Sequence, residues 1–197
     1  MVGKSLMRSA WICVLGGSLA LTIACRATAV TPAAEESPYR TTSTVRDIMQ
    51  SVVAPSAQGL WDSVGTISDA RGTFNLEPRT DAEWAAVRRH AVALVESTNL
   101  LVIPGRHVAH ATADTLKAED AEPGSELHPA EIEKRVAANW PAWVAMAHTL
   151  HDSATTMLDA VDKKDVASLE SRGSDLDGVC ESCHLVFWYP PRTKSDK

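Results

Sequence analysis

Residues 166–187 read VASLESRGSDLDGVCESCHLVF. Val166, Leu169, Gly173, Leu176, Cys180, Cys183 and Phe187 recur at steps of three and four. That is the spacing of one face of an α-helix. Two cysteines therefore stand on what should be a core seam. His184 follows Cys183 directly and shares that face. Cys180-Glu181-Ser182-Cys183-His184 is the C-x-x-C-H pattern of covalently attached haem c. Two thiols so spaced can each add to one vinyl group of a haem, and the adjacent imidazole then meets the iron. The competing readings are a structural disulfide, a redox CxxC or half of a zinc site. A redox CxxC expects a βαβ context, which the pattern lacks. A zinc site expects a second ligand pair, and no other cysteine is near.

The rest of the chain supports three further helices. Thr44-x-x-Asp47 is a capping box opening the first. Val45, Ile48, Met49, Val52, Leu60, Trp61 and Val64 form its apolar stripe, with Pro55 as an expected kink and Gly65 as its end. Thr80-x-x-Glu83 opens the second, whose face runs from Trp84 to Val102 before Pro104-Gly105. The third starts near Pro129 and carries a seam from Ile132 to Val161, which Pro141 kinks or splits. The fourth runs from near Asp165. Residues 66–79 could hold a small turn or hairpin. One core and four amphipathic helices predict an all-α fold, an antiparallel four-helix bundle with long inter-helix loops at 66–80 and 105–128. The short link Asp162-Lys163-Lys164 makes the last two helices antiparallel neighbours.

The N-terminus reads as an export signal over residues 1–24, with Lys4 and Arg8 ahead of an apolar run from Ser9 to Ala24. Two cleavage sites compete. Ala27-Thr28-Ala29 is an A-x-A site, and Thr22-Ile23-Ala24-Cys25 resembles a lipobox that would leave a lipid on Cys25. Residues 25–43 read as a flexible tether, 44–190 as one haem-binding domain and 191–197 as a C-terminal tail. The expected location is periplasmic or cell-envelope, with membrane anchoring through Cys25 if the lipobox is used. Of four cysteines, Cys180 and Cys183 alone lie in the globular part. The chain counts 19 basic and 25 acidic residues, a net charge of −6. That balance argues against nucleic acid and favours a basic redox partner. No nucleophile–base motif, phosphate loop or dinucleotide fingerprint is present, so the chain does not read as an enzyme.

In such a bundle the start of the first helix lies beside the end of the fourth. Met49 then faces His184 and is the expected second iron ligand. Arg46, one turn earlier, could pair with a haem propionate. Trp140 and Phe187 could line the pocket. Met146 and Met157 are expected farther from the haem end. His107, His110 and His128 could swing in, His90 sits mid-helix, and His148 with His151 would be solvated or capping.

A C-x-x-C-H in the last helix of an exported four-helix chain resembles the class II cytochromes c, the cytochrome c′ family. The resemblance spans residues 44–190 in layout, and Cys180, Cys183 and His184 match its specific motif. It implies one haem c on thioether links at Cys180 and Cys183, with His184 as proximal ligand. It also implies frequent homodimers. The family divides into six-coordinate electron carriers with a methionine early in the first helix, which Met49 resembles, and five-coordinate proteins that bind nitric oxide or carbon monoxide. Pro55, the long loops and the Phe187-Trp188-Tyr189-Pro190 ending depart from the usual pattern. A single-electron carrier is the first expectation, and a gas-binding protein the alternative.

Overall fold

The computed structural model describes residues 38–110 and 126–190. The expected export signal, Cys25, most of the tether and the C-terminal tail lie outside the described residues. The described chain is mostly helical, with one small antiparallel hairpin.

The first helical stretch comprises α1 (Val45–Ile48), a π-helical turn (Met49–Val53) and α2 (Ala54–Trp61). Its capping box forms as expected. Thr44 Oγ1 accepts from the Asp47 N–H at 3.1 Å, and Asp47 Oδ2 accepts from the Thr44 N–H at 2.8 Å. Two more donors at this end, the N–H groups of Val45 and Arg46, reach the carbonyls of His107 and Val108, each at 2.9 Å. The loop after the second long helix therefore pins the start of the first.

At the interruption expected from Pro55 the chain inserts a π turn just before the proline, and the core register changes there. Val53, not Val52, is buried. The buried set reads Val45, Ile48, Val53, Ala57, Leu60, with a gap of five between Ile48 and Val53 that no straight α-helix allows.

Strands β1 (Gly65–Asp69) and β2 (Gly72–Leu76) pair with Ile67 opposite Phe74, forming the hairpin. It is exposed along almost its whole length, so it adds nothing to the core. Helix α3 (Asp81–Leu101) follows a second capping box at Thr80 and Glu83. The seam of the third predicted helix is split. α4 (Pro129–Ala138) ends at Asn139, at φ −136° and ψ 41°, and α5 (Trp140–Asp162) restarts with Pro141 in its first turn. A proline there lacks only an N–H that would have had no partner. Helix α6 (Val166–Phe187) begins at Asp165, whose side chain accepts from the Ser168 N–H at 3.0 Å. The turn between α5 and α6 places Lys164 at φ 54°. Asp165 N–H bonds Ala160 O at 2.9 Å and Lys164 N–H bonds Val161 O at 3.0 Å, a Schellman closure made without glycine.

Helix α2 packs on α3, α3 on α5, α5 on α6 and α6 back on α2, while α4 leans on α5 and α6. One contiguous core results, from Ile48, Leu60, Leu94, Ile132, Met157, Leu169 and Leu176 among others.

The cap of α3 carries a pH signature. Glu83 accepts from the N–H groups of Arg79 and Thr80 and from the Thr80 hydroxyl, which hold its carboxyl below the ordinary value of 4.5. A depressed folded-state value stabilises the fold above pH 4.5, and that contribution disappears as pH falls through the folded value. Glu83→Gln should therefore flatten the acid limb of a stability–pH curve measured by urea unfolding. Thr80→Ala should cost about 1 kcal/mol at neutral pH in the same assay.

Candidate functional site

Leu169, Gly173 and Leu176 bury the seam of α6, and Phe187 buries it again near the end. Between them Cys180 and Cys183 are half-buried and face a cavity of about 480 Å³. That size falls within the range of small-molecule and cofactor sites, roughly 300–1,000 Å³.

The helices contribute distinct walls. Helix α6 brings Cys180, Cys183 and His184, with Asp177 and Glu181. The first helical stretch brings Met49, Val53, Ala57 and Trp61. Helix α5 brings Trp143, Met146, Ala147 and Leu150, and Tyr189 joins from beyond α6. The lining is thus mostly apolar, with sulfur and imidazole donors on it. All four residues expected to hold haem and iron, Cys180, Cys183, His184 and Met49, line this one cavity.

His184 is oriented by its neighbours. Its ring lies 5.7 Å from that of Tyr189, edge to face, and 6.2 Å from that of Trp188. The His184 carbonyl accepts from the N–H groups of Trp188 and Tyr189 at 2.8 and 2.9 Å, which closes the helix end. Arg135 of α4 caps the same end, donating to the carbonyls of Val186 and Tyr189 at 3.4 and 3.3 Å. Burial lowers the His184 pKa, against a smaller upward pull from Glu181 and Glu126. A neutral imidazole is the form that ligates metal.

The two thiols behave oppositely to redox cysteines. Burial pushes Cys183 up to about 11, with Cys180 adding to the rise. Burial, then the charge of Asp177, raises Cys180 as well. Reactive dithiols have lowered values. Both cysteines are free thiols, not a disulfide. Among the described residues no cluster of three or more His, Cys, Asp or Glu could hold a bare metal ion. The zinc reading and a His148/His151 site therefore have no ligand set there.

The secondary expectations divide. Arg46 does not line the cavity. It pairs with Glu126 at 3.1 Å and stands over Trp188, 5.8 Å from the ring centroid. Its buried Nε has no hydrogen-bond partner among the described residues. Phe187 and Trp140 are not on the cavity surface. Trp143 is there instead, its ring 5.2 Å from Phe187 at 89° and its Nε1 donating to Leu101 O at 2.9 Å. Phe187 backs the wall rather than forming it.

Met146 is a correction. It was expected away from this end of the molecule but lines the cavity. The Trp143–Phe187 contact explains why. Helices α5 and α6 are antiparallel across a tight turn, so three steps forward from Trp143 match three steps back from Phe187. That brings Met146 level with His184. Counting outward from the 162–164 link would have found it. Met157, by contrast, is fully buried in the core. None of the other histidines lines the cavity. His107 pairs with Glu133 and His110 with Asp47, at 2.8 and 2.9 Å. His151 bonds Thr98 at 3.0 Å. His90 packs against Gly59, where a Cβ would stand 2.6 Å from its ring. His128 occupies the N-cap position of α4, just before Pro129, without a side-chain capping bond.

No family model, curated protein or solved structure matches the chain. Among the described residues no helix is long and apolar enough to cross a membrane.

Trp61 holds one side of the cavity through its Nε1, which donates to Gly173 O at 3.0 Å. A Cβ on Gly173 would lie 3.1 Å from the Trp61 ring. Gly173→Ala should displace Trp61 and destabilise the fold by about 1–3 kcal/mol, read as a lower urea midpoint. An unchanged midpoint would show that the ring has room to yield.

Proposed function

We propose that this chain is an exported haem c protein that carries single electrons, with His184 and Met49 as the axial ligands. The observation that supports this reading is the shared cavity: two thiols and an imidazole at helical spacing on α6, and a thioether from the first helical stretch, all on one apolar surface. The donor set fits. Cys180 and Cys183 would form thioether links to haem, His184 would be the proximal ligand, and Met49 the distal one. Bound there, haem supplies one-electron Fe(II)/Fe(III) exchange. Met49 and the apolar walls Val53, Ala57, Trp143 and Leu150 would favour a higher reduction potential for a haem held there. Arg46 lies off the cavity surface and pairs with Glu126, so its guanidinium would have to leave that carboxylate to reach a propionate.

The ring of contacts α2–α3–α5–α6 is read here as an antiparallel four-helix bundle of the cytochrome c′ kind, with α4 as a lead-in to α5. The acidic charge suits a basic redox partner. Export and a lipid on Cys25 belong to the same reading, through the N-terminal signal. Burial holds the Cys180 and Cys183 thiols protonated, which makes them poor nucleophiles, so the role proposed is transfer rather than catalysis.

The test begins with the protein matured in cells that attach haem to C-x-x-C-H motifs. It should retain haem stain after denaturing electrophoresis, and Cys180→Ala/Cys183→Ala should lose it. Ferric protein should show the weak near-infrared band of an iron–methionine bond, and Met49→Ala should remove it. A colourless polypeptide of unmodified mass would overturn the haem reading. A high-spin spectrum that shifts with carbon monoxide would instead favour the gas-binding alternative.

A further inference from the structure

Pro55 lies outside the cavity and is exposed, just after the turn that carries Met49 into the cavity wall. In a regular α-helix its ring would collide with the Ser51 carbonyl, and the bond to that carbonyl would have no donor. The chain meets this with the π-helical turn Met49–Val53, in which the Ala54 N–H reaches back five residues to Met49 O. A π turn inserts one surplus residue. When the ladder returns to its α pattern, one carbonyl is left without a helix partner. Pro55, the next residue and within the first turn of α2, is the position whose donor is already missing. The proline and the surplus residue thus match each other.

The consequence is a change of phase. Upstream, Val45 and Ile48 face the core, held by the loop carbonyls of His107 and Val108. Downstream, Val53, Ala57 and Leu60 face it. In an uninterrupted α-helix Val53 would stand about 140° around the axis from Ile48. The π turn reconciles the two registers, and Met49 is its first residue.

We infer that Pro55 is a positioning residue for Met49: it fixes the π turn and so holds the thioether on the cavity wall. This rests on the proposal that Met49 ligates iron. Without the proline the turn can relax to an α-helix, which would rotate Met49 against α2 by up to about 100°. The ligand would then be held less firmly.

The experiment compares ferric wild-type and Pro55→Ala holoproteins by the near-infrared methionine band during titration with imidazole. Pro55→Ala should lose half of its band at about one tenth of the wild-type imidazole concentration, or lack the band from the start; tenfold corresponds to about 1.4 kcal/mol. Equal or higher half-loss concentrations in the variant would overturn the inference and leave Met49 ligation intact. A wild-type protein without the band would overturn Met49 ligation and the inference together. Pro129→Ala, at the start of α4, is the control and should titrate like wild type. Pro55→Ser serves the same comparison if Pro55→Ala does not accumulate.

Discussion

A helix packed in a protein must bury one face along its length, and α6 buries its face against two different things. From Leu169 to Leu176 that face meets the side chains of neighbouring helices. At Cys180 and Cys183 it meets a cavity, and at Phe187 it returns to the core. The rest of the molecule accommodates that interruption. Trp143 and Phe187 close one end by an edge-to-face contact, and Trp61 holds another side through the Gly173 carbonyl. The small residues Ala57 and Ala147 leave the space that larger ones would fill.

The same face explains why the thiols resemble neither a redox pair nor a bare metal site. They are desolvated, and the negative charge of Asp177 bears on Cys180, so neither gains stabilisation as a thiolate. A pair held in this way is poorly suited to exchange chemistry, which needs the thiolate. The end of α6 is built accordingly. Its last carbonyls are taken by Arg135 and by the turn through Trp188 and Tyr189. That turn sets the Tyr189 ring edge-to-face and the Trp188 ring tilted beside His184, which limits how its imidazole can point.

The helices were legible because their signals are local. Two capping boxes, Pro129, the Asp162-Lys163-Lys164 link and the seams of α3, α5 and α6 each occupy a few neighbouring residues. The break at Asn139 was readable from Pro141 for the same reason. Two features were not. Val53 replaced Val52 in the core because a π turn shifts the phase by one residue, and a 3.6-residue template has no place for it. Met146 escapes a single-helix template because its level is set across the 162–164 turn, by antiparallel register with α6.

Residue spacing alone determined that Cys180, Cys183 and His184 share a face, since helix geometry dictates what lies three and four positions apart. It likewise determined the mostly helical class. Only the tertiary structure decided which aromatics line the cavity, Trp61, Trp143 and Tyr189 rather than Trp140 or Phe187. Those outcomes depend on how far one helix is rotated and slid against the next. That is set by the packing of whole side chains across the core, and no single segment encodes it.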